Sequence, residues 1–452
     1  MAAKPDKAVL MTEGPIGKQI IGFALPVFWG NLFQQLYNMV DSLIVGNFCG
    51  KDALAAVSSA GHLIFMLNGL IFGIFAGAGV VVSKYYGAKD KENVQNSIHT
   101  TLAMGLIAGV LLTVLGVGLT PQILVWMNTP ASVLPNSILY FQIYFMGSMA
   151  MVLYNTGTGI FQAVGDSKHP LYYLVASSIV NVVLDLLFVW GFDWGVGGAA
   201  FATVIAQTVS CVLVYARLMR SEETYRVHVK KIKIHRYLIG PILKMGIPSG
   251  VQNSVIGFAN IIVQSNINAF GDAAVAGCGT YSKIEGFAFL PITSFSMALT
   301  TFTGQNSGAK KYDRVKKGAK FGIFGGMICA EAIGLLMFTF MPILVSAFNR
   351  EPEVIAFGTL NARTCTLFYC LLAFSHCAAG LMRGAGKAYV PMIVMLVCWC
   401  LIRVTYITVA VQLIPEIQTI FWAYPITWTL STICFLWYLI KGKWAEPQKE
   451  LI

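Results

Sequence analysis

Four carboxylates fall inside stretches of this chain that are otherwise apolar: Asp41, Asp185, Glu285 and Glu331. A charged side chain in hydrocarbon is costly, so acids at membrane depth mark the handling of ions or protons. Asp41 follows Tyr37, and Asp185 follows Asn181, by one helical turn, so each pair shares a helix face. At about 1.5 Å of rise per residue, Asp41 stands about 31 Å beyond Ile20 and Asp185 about 22 Å beyond Pro170, which puts both in the same outer half of the molecule. Thr203, near the start of the next apolar stretch, reaches similar depth. Two carboxylates joined by Asn, Thr and Tyr oxygens make either a hard-oxygen cage for Na⁺, with Asp41, Asp185 and Asn181 as its ligands, or a coupled pair that holds a proton. The plainer alternative for Asp41 is an acid at a helix end, exposed to outer water. Glu285, two residues from Lys283 but on another helix face, reads as a structural or modulating acid, and Glu331 as structural. Arg403 is placed to neutralise one of these acids.

The elements that must position these groups are transmembrane helices. Hydrophobic residues make up 56% of the 452 and charged residues only 11%, and the mean hydropathy is +0.69, far too apolar for a water-soluble globule. Apolar stretches long enough to cross about 30 Å of hydrocarbon recur along the whole chain. The expected spans are 20–45, 53–82, 95–118, 136–163, 170–190 and 197–218 in the first half, and 238–270, 273–305, 318–345, 354–382, 388–413 and 418–440 in the second. The expected fold is therefore an all-α integral membrane protein with about twelve transmembrane helices.

The two halves repeat one another. Pro26 and Asn31 are matched by Pro248 and Asn253, Asp52 by Asp272, Gly87 by Gly308, and Gly165 and Pro170 by Gly386 and Pro391, at an offset of 220–222 residues. Six spans per half is an even number, so both halves enter the membrane in the same sense and form two pseudo-symmetric six-helix lobes. The boundaries are 1–220 for the first lobe, 221–237 for a basic cytoplasmic linker read as a solvated tether, and 238–452 for the second lobe. The matched prolines Pro26 and Pro248 are candidate hinges, since membrane helices tolerate proline where neighbours satisfy the freed backbone groups.

Charge gives the orientation. Of the 31 Lys and Arg residues, 26 fall at the termini, in the even-numbered loops or in the central loop. Only Lys51 and Arg350 fall on the opposite face, and Lys283, Arg363 and Arg403 lie within spans. Both termini are then cytoplasmic in a multi-pass protein of the inner or plasma membrane. The net charge of +11 follows from topology. It does not indicate a nucleic-acid partner, because the basic residues interrupt apolar spans rather than cluster on a soluble domain; anionic lipid headgroups are the partners within their reach. The first 18 residues are polar and do not read as a cleavable leader. The ten cysteines sit almost wholly in predicted helices without metal-ligand spacing, so no metal centre is expected from them. Cys49 and Cys278 both fall near the outer face, where a disulfide would be sterically conceivable. His62, His99 and His376 lack ligand spacing and read as packed or interfacial.

The stretch FALPVFWGNLFQQLYNMVDSLIVGNFCGKDALAAV, with VSKYYGAKDKENV, FQAVGDSKHP, YSKIEGFAFLP and GQNSGAKKYDRV, resembles the multidrug and toxic compound extrusion transporters over almost the whole chain. The resemblance implies two lobes enclosing a cavity, alternating access, and export of cationic or amphipathic drugs in exchange for H⁺ or Na⁺, with no catalytic residues and no cofactor. In one prokaryotic branch the cation site lies in the amino-terminal lobe, on an Asp of the first helix and an NxxxD pair in the fifth. Asp41 and Asn181 to Asp185 match it; Tyr37 and Thr203 match accessory positions, and Asn155 loosely. Another branch keeps acids in the seventh and tenth helices. Here the seventh span holds none and the tenth only Glu353 at its outer border. The expected unit is a monomer. The rival readings are a lipid-linked precursor flippase, which calls for a cluster of cationic side chains where only Lys283, Arg363 and Arg403 are available, a metabolite exporter of similar architecture, and a channel or membrane enzyme, for which no pore motif or nucleophile constellation is present.

Overall fold

The computed structural model describes residues 10–48, 69, 71–126, 129–131, 133–442 and 444–446. The expectations that rest on Cys49, Lys51, Asp52, His62, Lys4, Lys7, Lys443 and Lys449, and the first part of the second span, fall outside the described residues. The described chain is helical, with no strand among the described residues. Hydrocarbon offers no partner for backbone N–H and C=O groups, and a helix pairs them within one segment.

In chain order the helices are α1 (Ile16–Phe48), α2 (Ile71–Gly87), α3 (Lys91–Trp126), α4 (Leu134–Met146), α5 (Ser148–Ala163), α6 (Lys168–Asp185) and α7 (Gly195–Arg220). The second half runs α8 (Arg236–Asn268), α9 (Asp272–Gly308), α10 (Tyr312–Ser346), α11 (Pro352–Cys365), α12 (Tyr369–Gly384), α13 (Tyr389–Met395), α14 (Arg403–Leu413) and α15 (Ile417–Lys441). Eight described helices are long and apolar enough to cross a membrane, nine if the bent pair α4 and α5 counts as one span. With α1, α2 and α8 the order reproduces the twelve expected spans.

Four of those spans are not the continuous α-helices expected. α4 and α5 meet at 49° around Gly147, which takes a half-helical φ of −83° and ψ of −3°. α11 and α12 are joined by a 3₁₀ turn, Thr366–Phe368. The fifth and eleventh spans carry π-helical segments, Leu186–Gly191 and Leu396–Ile402, the first beginning directly after Asp185 and the second ending directly before Arg403. A π-turn is less favourable than α-helix and tends to persist at functional sites.

The duplication is visible in the backbone. Lys89 and Lys310, 221 residues apart, both adopt positive φ (60° and 57°), as do Gly165 and Gly386 (87° and 80°). Polar side chains start the following helices: Asp90 Oδ1 accepts the Asn93 N–H at 3.1 Å at the start of α3, and Asp166 Oδ1 accepts the N–H groups of Lys168 and His169 at the start of α6. Each satisfies donors that a helix N-terminus leaves open.

By packing, the chain forms two units. One takes Trp29–Gly246; the other takes Met11–Phe28 and Ile247 onward. Thus α1 begins in the second unit and continues in the first, and α8 does the converse. Pro26 and Pro248 lie within three residues of these crossovers, and neither ends its helix. The linker is not the solvated tether expected. Tyr225 and Val227 are buried in the first unit's core. His228 N–H donates to His99 Nε2 at 3.1 Å, His235 N–H to Thr100 Oγ1 at 3.1 Å, and Gln95 Nε2 to the Arg226 carbonyl at 2.9 Å. In the second unit Met11 N–H donates to Gln305 Oε1 at 2.8 Å, while Arg314 Nε reaches the Met11 carbonyl at 3.2 Å. Cys278 is a buried free thiol.

Within the first unit α2 and the start of α8 touch backbone to backbone. A Cβ at Gly77 would lie 2.3 Å from the Gly246 nitrogen and 2.6 Å from its Cα. Because backbone cannot yield as a side chain can, Gly77→Ala is expected to destabilise the protein by about 1–3 kcal/mol, read as a lower unfolding midpoint in detergent. Gly118→Ala, with nothing within 4 Å of its Cβ position, should not.

Candidate cation site

The two carboxylates Asp41 and Asp185 meet inside the first unit. Asp185 is fully buried, carried by the last residue of α6, and its side chain is within hydrogen-bonding reach of Asp41 from α1. With the Asn181 amide oriented to suit its neighbours, Nδ2 donates to Asp185 Oδ2 at 2.7 Å and Oδ1 accepts the Thr203 N–H at 3.2 Å. Thr203 Oγ1 donates to the Ala199 carbonyl at 3.0 Å, and the Tyr37 phenol lies beside it. Five of the expected residues, Tyr37, Asp41, Asn181, Asp185 and Thr203, therefore converge from α1, α6 and α7.

Asn155 does not join them through its amide, whose Nδ2 donates to the Met151 carbonyl one turn back at 2.8 Å. Two residues that sequence reasoning missed do take part. Tyr140 is buried and lies near Asp41, Tyr37 and Asp185, with Tyr144 stacked on it at 6.4 Å. Both sit on α4 and share a face at i, i+4. That spacing is visible in the sequence, but it reads as packing until the fold brings α4 to the carboxylates.

Two oxygens decide what this arrangement can do. Asp41 Oδ1 and Asp185 Oδ1 are buried and have no hydrogen-bond donor among the described residues. Two anionic acceptors side by side in a low-dielectric interior repel unless a proton or cation lies between them. The oxygens of Asn181, Thr203 and Tyr37 are hard neighbours of the kind Na⁺ prefers.

The second unit is built differently. Glu285 Oε1 accepts the Tyr281 hydroxyl at 3.0 Å and the Tyr369 hydroxyl at 3.3 Å. Arg403, the largest fully buried side chain, does not pair with an acid as expected: among the described residues no carboxylate lies within salt-bridge distance of it. Its guanidinium is 4.5 Å from the Tyr424 ring centroid and 5.5 Å from that of Trp399, and Nη2 donates to Thr427 Oγ1 at 3.0 Å. Aromatic faces replace the counter-ion there. Glu331 Oε2 accepts the Cys370 N–H at 2.9 Å and so caps the first turn of α12. Lys283 is exposed, and Arg363 lies 5.9 Å from the Phe338 ring centroid.

The MatE family model matches residues 26–187 and again 248–409, together well over half of the chain. The chain belongs to the MatE family. The two matches are offset by the spacing of the internal repeat. The MatE chain is 30% identical over 379 residues to the probable multidrug resistance protein YoeA of Bacillus subtilis, covering 82% of each. It is 21% identical to the multidrug export protein MepA of Staphylococcus aureus, covering 85% of each. Its fold matches the outward-facing conformation of a multidrug resistance MATE family transporter, with a TM-score of 0.92 over 99% of this chain and 100% of the other at 23% identity.

The acids separate by experiment. Glu331→Ala, which removes the cap on α12, should lower stability by about 1 kcal/mol in thermal unfolding. Glu331→Gln, whose side-chain carbonyl still accepts the Cys370 N–H, should recover most of that loss.

Proposed function

We propose that this MatE protein is a secondary active exporter of cationic or amphipathic compounds, driven by H⁺ or Na⁺ entering through the pair Asp41 and Asp185. The observation that carries the reading is the meeting of two carboxylates, each with one buried oxygen lacking a donor. Such a pair has one stable arrangement with a positive charge between the acids and another without it, which is what exchange requires.

In this reading the ion arrives from the outer side, occupies Asp41 and Asp185 with Asn181 beside them, and draws α1 toward α6. Because α1 passes from one unit to the other near Pro26, a change in its outer half alters the course of the helix at that proline, with Pro248 the matching point in α8. Alternating access follows from bending at these two places. The protein sits in the plasma membrane with both termini cytoplasmic, consistent with the one-sided distribution of Lys and Arg. Its similarity to a multidrug resistance protein and a multidrug export protein supports drugs as the exported class. Each charge moving down about 100 mV supplies about 2.3 kcal/mol, enough for about fifty-fold accumulation before any concentration gradient is added.

Dye efflux from proteoliposomes under separately imposed Na⁺ and pH gradients tests this. Efflux should follow one of the gradients, and both Asp41→Asn and Asp185→Asn should lose the gradient-driven component. Undiminished efflux in the Asp41→Asn protein would overturn the mechanism.

A further inference from the structure

Arg383 falls among the cytoplasmic basic residues by sequence, yet its side chain turns into the second unit. It lies on the last turn of α12, is half-buried, and reaches two neutral groups: Nη1 donates to Gln252 Oε1 of α8 at 3.4 Å and Nη2 to Ser296 Oγ of α9 at 3.2 Å. Both acceptors are themselves buried, at 3% and 4% exposure, and both are otherwise engaged, Ser296 Oγ donating to the His376 carbonyl at 2.7 Å and Gln252 Nε2 to Met395 Sδ at 2.7 Å. A guanidinium has five N–H donors, so three remain. Among the described residues no carboxylate lies within salt-bridge distance, and no aromatic ring takes the place of one as it does at Arg403.

A second observation points to the same place. His376 precedes Arg383 by two turns on the same face of α12, and its Nε2 is buried with no hydrogen-bond partner. Its ring is held edge-on by Phe289 at 5.7 Å and Trp399 at 5.4 Å, so it cannot easily swing away to find one. The half-buried guanidinium calls for an acceptor, and the buried imidazole nitrogen for a polar partner, that the described residues do not supply. The acceptor that answers a guanidinium fork is a planar oxyanion.

We propose that the second unit carries an oxyanion-binding subsite in which Arg383, positioned by Ser296 and with His376 beside it, holds the carboxylate or phosphate of an amphiphilic ligand whose apolar part lies against Phe289 and Trp399. The subsite goes beyond the cation site of the first unit, and rests on the export reading only in making the ligand a transported one. Compounds carrying an anionic group as well as an apolar body then belong to the range this protein recognises.

Equilibrium binding to the purified full-length protein in nonionic detergent tests the subsite without requiring transport, so failure of the export reading and failure of this one are distinguishable. The probes are dansyl-labelled undecanoate and its methyl ester, which differ in the charge and one methyl group. The carboxylate should bind about tenfold or more tighter than the ester, the equivalent of one charge-assisted hydrogen bond. Arg383→Gln should reduce that preference to about twofold or less, Arg383→Lys should retain part of it, and Arg363→Gln, a cation removed elsewhere in the unit, should leave it intact. A role for Arg383 limited to tying α8, α9 and α12 together predicts that Arg383→Gln weakens both probes alike; that result, or equal binding of the two probes to the unaltered protein, would overturn the proposal. Competition by inorganic phosphate would assign the subsite to small oxyanions, and competition by short-chain phosphatidylglycerol but not phosphate would assign it to a lipid headgroup.

Discussion

Asp41 and Asp185 face each other in an apolar bundle with one oxygen apiece that no donor reaches, and much of the first unit is arranged around that fact. Water would screen two such groups; hydrocarbon does not. The pair persists because α6 delivers Asp185 fully buried at its end, the adjoining π-helical segment lets the backbone change pitch there, and Asn181 occupies the second oxygen. Thr203 gives its hydroxyl hydrogen to the Ala199 carbonyl instead of to a carboxylate, and the Oδ1 atoms stay open. Had any neighbour donated to both, the site would be a closed structural network with nothing to exchange.

The second unit repeats the helices and changes the chemistry. Where the first unit has two acids and an amide, the second has Glu285 held by two tyrosine hydroxyls, Arg403 caged by aromatic rings, and Arg383 facing neutral oxygens. Duplication preserved what the backbone needs, seen in the matched left-handed residues Lys89 and Lys310 and in Gly165 and Gly386. The polar interior was free to diverge, because a helix places a side chain at a given depth and face whatever its charge.

The crossovers of α1 and α8 follow from the same duplication. The polar segment before each helix docks on the unit opposite to the one in which most of that helix lies: residues from Met11 on Gln305, Asn306 and Arg314, and residues from Tyr225 on Gln95, His99 and Thr100. At His99 both ring nitrogens are used, Nδ1 toward the Gln95 carbonyl and Nε2 accepting from the His228 N–H, so a segment that looks like a charged tether is tied by specific hydrogen bonds. Composition could not reveal this, since most of these bonds run through backbone groups, which every residue carries whatever its side chain.

Hydropathy and the 221-residue repeat by themselves determined the twelve spans and the duplication, because each of these is a one-dimensional property set by the thickness of hydrocarbon and by the rise of a helix. Asn181 and Asp185 were legible as a pair for the same reason, lying one turn apart. What only the tertiary structure decided is which helices meet. It brought Tyr140 of α4 to the carboxylates and kept the amide of Asn155 on its own helix; it gave Glu331 to the first turn of α12, put aromatic rings instead of an acid around Arg403, and turned Arg383 inward from an apparent loop. Those outcomes depend on the rotation of each helix about its axis and on breaks such as Gly147 and Thr366–Phe368, which packing sets and no local pattern records.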